Sequence, residues 1–184
     1  MLSQLALIII GAVAVFAQGA PSPETPAGEI SDPEAYAVYA VVLPTLYSVK
    51  TAPGARVILQ KETETVPRPG NGLQCPGPAS AIPEGWRSVV DSYAAENARP
   101  RFVLSGQPLK LDYTVHPKAE IQINVRWDYV QVSAVGFNPS RTRAMVYMAY
   151  HCGMRCAGGT HYFLEKVDGA WRQVQGLGGC EWLA

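Results

Sequence analysis

The chain has 184 residues, and its 15 basic and 15 acidic side chains give a formal net charge of zero at pH 7. Nucleic acids and anionic membrane surfaces are bound through an excess of positive charge, so this balance argues against both as partners. The length suits one compact domain with its own hydrophobic core, and the sequence contains no internal repeats.

The first residues of the chain predict export. Residues 5–17 form an apolar run that is too short to span a bilayer comfortably, and small residues follow it. We interpret residues 1–19 as a secretory signal peptide that is cleaved after Ala17 or after Gly19. Because no Lys or Arg precedes the run, a retained membrane anchor is the alternative. We therefore expect a secreted or periplasmic protein, with a membrane as a partner only if this segment is retained.

The rest of the chain is predicted to be one α+β domain behind a short leader. Residues 20–32 are rich in Pro and small polar residues, which bury too little surface to fold, so we predict a flexible leader there. Residues 33–184 are predicted to form a single domain in which two helices pack on a curved antiparallel sheet of about five to seven strands.

Two segments have the apolar spacing of a helix. From residue 33 to residue 49, apolar side chains recur at spacings of three and four, and Ser31 or Asp32 can cap the first turn. Pro44 lacks a backbone donor and is expected to kink or end this helix. The second helix is predicted over residues 84–97, where the apolar side chains lie along one stripe.

Three strands are predicted before the last third of the chain. Residues 56–66 are rich in β-branched types, and residues 109–115 and 120–126 alternate between apolar and polar side chains. The connection over residues 67–83 is rich in Pro and Gly and needs a tether to stay packed. Cys75 is the candidate for that tether.

The segment from Ser133 to Trp171 predicts an antiparallel β-meander with a cysteine-clipped loop. Three apolar runs of strand length are separated by segments that reverse the chain, at residues 138–140, 152–159 and 168–169. In the central run both alternating sets of side chains are apolar, which predicts that both faces of the sheet are covered. The first set is Ala144, Val146, Met148 and Tyr150, and the second is Met145, Tyr147 and Ala149.

Four cysteines in an exported chain predict two disulfides. Cys152 and Cys156 lie in one loop of the meander and can bridge if the loop curls back, which leaves Cys75 to pair with Cys180. The sequence alone leaves the other two pairings open.

The same loop could instead have a chemical role, either as a metal site or as the active site of a hydrolase. His151, Cys152, Cys156 and His161 have the ligand types that zinc and copper prefer, so a metal site is one alternative. The other is a Cys/His-based hydrolase. In it, one of these cysteines is the thiolate, one of the histidines is the base, and the backbone of residues 157–159 donates to the oxyanion.

The competing interpretation of this loop is structural. Oxidation would consume both thiols, the glycines would let the loop turn, and the histidines would face solvent. The sequence has none of the common nucleophile-elbow, metalloprotease or phosphate-loop motifs. We therefore predict no catalytic residue, no cofactor and no bound metal, and we favour a protein that is not an enzyme.

A binding module with an aromatic platform is a further alternative. Trp127, Tyr129, Tyr150 and Trp182 are the candidates for a flat platform on which a glycan or a peptide could stack. Against this, any one of these rings could instead fill the core. The sequence does not identify the ligand, the partners or the oligomeric state.

Two patterns in the C-terminal half carry a resemblance to known sequences. They are Ser133-x-Val135-Gly136-Phe137-Asn138 and Leu164-Glu165-Lys166-x-Asp168-Gly169-x-Trp171. In this order they resemble a set of uncharacterised exported bacterial proteins. The resemblance implies an exported bacterial domain and no catalytic residue. We predict an exported, non-catalytic binding or structural domain of the cell envelope or the extracellular space.

Overall fold

The structure is a computed structural model, and it describes residues 28–45, 56–65, 82–123, 128–152, 156–177 and 182–183. These residues form an α+β fold, as predicted. The helices are α1 (Pro33–Val42), α2 (Arg87–Glu96) and the short α3 (Lys118–Ile123), with single 3-10 turns at Leu43–Thr45 and Glu84–Trp86. The strands are β1 (Val57–Gln60), β2 (Tyr113–His116), β3 (Asp128–Val132), β4 (Gly136–Phe137), β5 (Arg143–Cys152), β6 (Ala157–Val167), β7 (Ala170–Gln173) and β8 (Trp182–Leu183).

The strands form one sheet in the order β2-β1-β3-β5-β6-β7, with β4 paired to β5 and β8 paired to β6. The C-terminal strands are antiparallel, as the predicted meander requires. Asp168 and Gly169, which separate β6 from β7, both have positive φ, at 51° and 79°. Two adjacent residues with positive φ are typical of a tight hairpin turn, so this turn is confirmed.

The position of β1 differs from the prediction of a wholly antiparallel sheet. β1 is parallel to both β2 and β3, so the sheet is mixed. Parallel neighbours need a long connection between them, and both neighbours of β1 come from distant parts of the chain. The sequence of β1 alone does not contain this information, because the same alternation suits either strand direction.

Residues 120–126, predicted as a strand, also differ. The chain instead forms α3 as far as Ile123, and residues 124–127 lie outside the described part. The backbone N–H groups of Glu120 and Ile121 donate to the carbonyl oxygen of Pro117, at 3.0 and 3.2 Å. A proline fits the first turn of a helix well, so Pro117 both ends β2 and begins α3.

The folded part of the chain begins earlier than predicted. Residues 28–32 belong to the predicted leader, yet Ile30 is buried and its N–H donates to the carbonyl oxygen of Phe102 at 2.8 Å. Glu29 also forms a parallel bridge with Phe102. The predicted signal segment, residues 1–19, lies outside the described residues, as do residues 20–27, Cys75, Trp127 and Cys180.

Helix α1 covers one face of the sheet and ends where the sequence predicts. Asp32 caps its first turn by accepting a hydrogen bond from the backbone N–H of Glu34 at 3.0 Å. The helix stops at Val42, and Pro44 lies in the following 3-10 turn. The apolar side of α1 packs on the set of β5 side chains that contains Val146.

Glu34 ties the start of α1 to the meander. Its Oε2 accepts hydrogen bonds from Nζ of Lys166 at 2.7 Å and from Nε1 of Trp171 at 2.8 Å. The hydrogen bond from Lys166 is the main cause that lowers the pKa of the Glu34 carboxyl below its ordinary value. Two of the residues that carry the resemblance, Lys166 and Trp171, therefore have a structural role.

Helix α2 covers the opposite face of the sheet. Trp86, Val89 and Tyr93 pack against the other set of β5 side chains, so both faces are covered as predicted. Tyr93 lies so close to Gly136 of β4 that a Cβ atom at Gly136 would be 2.5 Å from the Cβ of Tyr93. Only glycine allows the helix and the strand to approach this closely.

Asn97 fastens the end of α2 to the chain that connects β3 and β4. Its Nδ2 donates to the carbonyl oxygens of Tyr93 and Ala134, at 2.8 and 3.0 Å. Its Oδ1 accepts from the backbone N–H of Ala134 at 2.8 Å. The side chain is buried, so it replaces water as the partner of these backbone groups.

Substitution of Asn97 tests how much these hydrogen bonds contribute to stability. Asn97→Ala would leave the buried N–H of Ala134 without this partner, whereas the C=O of Ala134 would keep the hydrogen bond from Ser133 Oγ at 2.9 Å. A buried unpaired backbone group costs about 1–3 kcal/mol. We expect the free energy of unfolding to fall by about 2 kcal/mol, measured by urea denaturation. Arg99→Ala, at an exposed position two residues later, is the matched control and should change it by less than about 0.5 kcal/mol. Equal effects of the two substitutions would contradict the role of Asn97.

The pattern from Ser133 to Asn138, the other part of the resemblance, also has a structural explanation. Ser133 Oγ accepts a hydrogen bond from the N–H of Tyr147 at 2.8 Å, and the carbonyl oxygen of Ser133 accepts one from the hydroxyl of Tyr39 at 2.8 Å. Asn138 Oδ1 accepts from the N–H groups of Thr142 and Arg143, both at 2.8 Å. These residues therefore shape the β4–β5 hairpin and join it to α1.

None of the helices in the described ranges is long and apolar enough to cross a membrane.

Candidate functional site

The predicted disulfide between Cys152 and Cys156 is present. The two Cα atoms are 5.0 Å apart, and the backbone N–H of Cys152 donates to the carbonyl oxygen of Cys156 at 2.7 Å. The bridge closes the β5–β6 hairpin and leaves neither sulfur as a thiolate. The predicted pairing of Cys75 with Cys180 falls outside the described residues.

The structure does not bring His151 and His161 together. His151 is opposite Ala157 in the β5–β6 ladder, whereas His161 is opposite Tyr147. The two histidines are therefore four positions apart along the ladder, or roughly 13 Å. Among the described residues, no group of three His, Cys, Asp or Glu side chains is placed to hold a metal ion. With both thiols oxidised in the Cys152–Cys156 bridge, neither sulfur is a free thiolate in this arrangement.

His161 is buried, which corrects the expectation that it faces solvent. Only 8% of its surface is exposed, and its ring packs against the rings of Tyr93 and Tyr147, with centroids 5.7 and 5.0 Å away. Its Nε2 is 3.4 Å from the hydroxyl of Tyr93, and its buried Nδ1 has no hydrogen-bond partner in the described part of the chain. Burial lowers the pKa of His161 to about 4. The imidazole is therefore neutral at pH 7.

His151 belongs to a polar network that joins β1, β3 and β5. Its Nε2 is 2.9 Å from Oε1 of Gln131, and Nε2 of Gln131 donates to Oε1 of Gln60 at 3.0 Å and to Oε1 of Glu64 at 2.6 Å. Because the amide nitrogen of Gln131 donates in two directions, its oxygen is the acceptor, and we assign the proton to Nε2 of His151. Burial lowers the pKa of His151, and the nearby charge of Glu64 partly opposes this. The network connects the side chains of three strands.

The predicted aromatic platform is not assembled from the rings that the structure describes. Tyr129 stacks on His151, its cross-strand neighbour, with centroids 4.4 Å apart and an interplanar angle of 10°. Tyr150 directly precedes His151 on β5, so its side chain lies on the opposite face of the sheet, where it packs against the core under α1. The backbone of Trp182 pairs with Gly159, and Trp127 lies outside the described residues. Tyr129 and Tyr150 therefore cannot form one flat surface.

A cleft that the sequence did not reveal lies between α1, α2 and the β4–β5 hairpin. Its volume is about 380 Å³. This is within the range of sites for small molecules in proteins. The residues that line it come from three groups of segments: Glu29, Ile30, Ser31, Asp32 and Ala35; Ser92, Glu96 and Arg101; and Ala134, Val135, Phe137, Asn138, Pro139 and Arg141.

The cleft combines an apolar floor with charged side chains at its edge. Ile30, Ala134 and Val135 are buried and apolar. Two ion pairs lie among the lining residues, Arg141 with Asp32 and Arg101 with Glu96, the second at 2.6 Å. All four side chains are between 38% and 44% exposed, so they can contact a molecule in the cleft.

Arg141 has an unusual backbone conformation for its residue type. Its φ is 54°, in the left-handed region that favours glycine. Its N–H donates to the carbonyl oxygen of Asn138 at 2.9 Å, and its guanidinium lies over the ring of Phe137, 4.2 Å from the centroid. A non-glycine residue in this region costs about 1 kcal/mol or more, and such residues concentrate at ligand sites. The contact with Phe137 and the ion pair with Asp32 hold the guanidinium of Arg141 in the lining of the cleft.

Glu29 is the other charged residue that sets the character of the cleft. It is exposed, and it makes no ion pair with any residue that the structure describes. The cleft thus has two arginines and three acidic side chains, which leaves it with one excess negative charge. The described lining has no cysteine or histidine. The charged groups of the lining can form ion pairs and hydrogen bonds with a molecule in the cleft.

A scan of the chain against protein-family models and searches of curated proteins and of solved structures found no match.

Proposed function

We propose that this protein is an exported, non-catalytic domain that binds a small ligand in the cleft between α1, α2 and the β4–β5 hairpin. The observation that carries the proposal is the combination of a cavity of about 380 Å³, an apolar floor and half-exposed ion pairs. Small-molecule sites in proteins combine apolar contacts, which supply affinity, with polar groups that supply orientation. Here eight of the 14 lining residues are polar or charged, so polar contacts have the larger share.

Export is part of the proposal. It is supported by the apolar N-terminal segment followed by small residues and by the Cys152–Cys156 disulfide, since disulfides persist in oxidising compartments. The resemblance adds a bacterial source and a secreted or periplasmic location. Fractionation of cells that express the full chain is expected to yield a protein outside the cytoplasm that lacks residues 1–17 or 1–19 and has no free thiol. A cytoplasmic protein of full mass would contradict export.

Ligand binding is tested by nuclear magnetic resonance on isotopically labelled protein from the exported fraction. The probes are glucose, N-acetylglucosamine, acetate, L-alanine and trialanine, each added to about 10 mM so that dissociation constants in the millimolar range can be detected. We expect at least one probe to shift the amide signals of Ile30, Val135 and Phe137. Shifts confined to Tyr129 and His151, or no shifts at all, would overturn the proposal.

A blocked cleft provides the control for this measurement. Ser31 lines the cleft at an exposed position, so Ser31→Trp adds a large ring there without entering the core. Ser88, which is exposed on α2 and does not line the cleft, provides the matched variant Ser88→Trp. Binding should be lost in the first variant and kept in the second.

A further inference from the structure

We infer that protonation of His161 releases helix α2 from the sheet, while the core between α1 and the sheet stays formed. The release is a conformational response to acid that is built into the fold. It follows from the way in which His161 is enclosed, from the lack of a partner for one of its nitrogen atoms, and from the division of the core into two clusters.

His161 is enclosed between the sheet and one helix that can move. It lies on β6 opposite Tyr147 of β5, and these two strands are joined over nine pairs of residues, so Tyr147 cannot leave without breaking the ladder. On the other side, the ring of Tyr93 on α2 packs against the imidazole at an interplanar angle of 75°. Helix α2 contacts the sheet through side chains, as in the hydrogen bond from the N–H of Phe137 to Ser92 Oγ. It is therefore the part of the enclosure that can open.

The enclosure fits the neutral imidazole but not the charged one. A protonated histidine has an N–H donor on each of its two ring nitrogens. Nε2 is 3.4 Å from the hydroxyl of Tyr93, whereas the buried Nδ1 has no hydrogen-bond partner in the described part of the chain. A charged group that leaves water without gaining partners is strongly disfavoured. Protonation therefore favours a conformation in which Nδ1 reaches water.

The neighbours of His161 do not offset its charge. The titratable groups that face the imidazole in the described structure are the phenols of Tyr93 on α2 and Tyr147 on β5, and a phenol is neutral between pH 5 and pH 7. Burial raises the pKa of Tyr93 further, and burial is also the cause that lowers the pKa of His161. His151 lies four positions away along the ladder, beside β3.

Release of α2 leaves the larger part of the core in place. Among the described residues, the buried apolar side chains form two clusters on opposite faces of the sheet. Helix α1 belongs to a cluster of 20 buried residues, whereas α2 belongs to a cluster of eight. Elements with few buried apolar contacts open locally at a lower free energy than the whole domain unfolds. Loss of the smaller cluster is therefore compatible with an intact α1 and sheet.

The release also opens the cleft. Ser92 and Glu96 of α2 form part of its lining, and Asn97, at the end of α2, holds Ala134 of its floor through two hydrogen bonds. A molecule in the cleft would lose these contacts each time α2 opens. This consequence rests on the proposed function, whereas the release of α2 does not.

Native-state hydrogen exchange in low concentrations of urea tests the inference on the exported protein without a ligand. The amides of Tyr93 and Ala94 report on α2, and those of Tyr39 and Ala40 report on α1. Protection factors, which are corrected for the intrinsic exchange rate at each pH, are compared at pH 7 and pH 5. Most carboxylates remain ionised over this range, so histidines dominate the change.

Helix α2 is expected to open independently of α1 at pH 5. Its amides should exchange at least about tenfold faster than those of α1, and their exchange should depend little on urea because a local opening exposes little surface. Between pH 7 and pH 5 the protection of α2 should fall roughly 20-fold, as follows from a pKa of about 4 for His161 in the closed state and of 6.5 in the open state. The fall should be absent in His161→Leu and retained in His116→Gln, at the half-exposed histidine.

Three results would overturn the inference. If the α1 and α2 amides have the same protection and the same urea dependence at pH 5, α2 opens only when the whole domain unfolds. This comparison uses the natural protein, so it does not depend on the folding of a variant. Protection of α2 that is unchanged between pH 7 and pH 5, or that falls equally in His161→Leu, would show that His161 does not control the helix. Because no ligand is present, each of these results leaves the binding proposal to its own test.

Discussion

Gly136→Ala is expected to lower the free energy of unfolding by more than about 3 kcal/mol, because the added methyl group meets backbone that cannot move away. A Cβ atom at Gly136 would overlap the backbone nitrogen and Cα of Tyr93 and would lie 2.5 Å from its Cβ. Helix α2 would have to move off the sheet, which would open the core around Met145 and Phe163. Urea denaturation at pH 7 measures the loss.

Gly85→Ala is the matched control for this prediction. A Cβ atom at Gly85 would be 2.5 Å from its nearest neighbour, which is Nη1 of Arg143, at the end of a flexible side chain. The guanidinium can rotate away, so we expect a loss of less than about 1 kcal/mol. Similar losses of unfolding free energy in the two variants would contradict the idea that overlap with the backbone of Tyr93 is what destabilises Gly136→Ala.

Acidification is expected to destabilise the protein through His161. The folded-state pKa is about 4, well below the ordinary value of 6.5, because burial disfavours the charged imidazole. Between these values the unfolded chain binds a proton that the folded chain does not, so stability falls as the pH is lowered from 6.5 to 4. The loss from this one residue is up to about 3 kcal/mol, and it levels off below pH 4.

Comparison with His161→Leu separates the effect of His161 on the pH dependence of stability from the effect of the Asp and Glu carboxylates, which are present in both proteins. The stability advantage of the natural protein over the variant should be smaller at pH 4 than at pH 7 by up to about 3 kcal/mol. The groups that face His161 are the phenols of Tyr93 on α2 and Tyr147 on β5, neither of which titrates in this range. His116→Gln, at the half-exposed pair with Glu120, is the control. An advantage that is the same at both pH values would contradict the burial of a neutral His161.

The elements that were predicted correctly are those whose signal is local. Helix α1 follows from apolar spacing, and its end follows from Pro44. The β5–β6–β7 meander follows from strand-length runs and from the Asp168-Gly169 turn. The Cys152–Cys156 bridge follows from short sequence separation in one loop. In each case the residues that determine the element are neighbours in sequence, so no knowledge of the tertiary fold is needed.

The elements that were missed depend on contacts between distant segments. The parallel partner β3 of β1 comes from a distant part of the chain, since Gln131, which donates to Gln60, is 71 residues away. His161 follows two glycines and a threonine and was expected to face solvent, but Tyr93 of α2 covers it. The cleft draws Glu29 from a predicted leader and Arg141 from a predicted turn, and neither segment has a motif that points to the other. Its one local signal is a large charged residue at a hairpin position where glycine would be favoured.

The short strand β4 has a consequence for how the protein avoids self-association. Sheet edges with free backbone groups can pair with the edge of another molecule, and short strands reduce this risk. β4 has only two residues, and the N–H of Phe137 donates to Ser92 Oγ on α2 at 3.2 Å. The edge beside the cleft therefore offers little backbone with which a second molecule could extend the sheet.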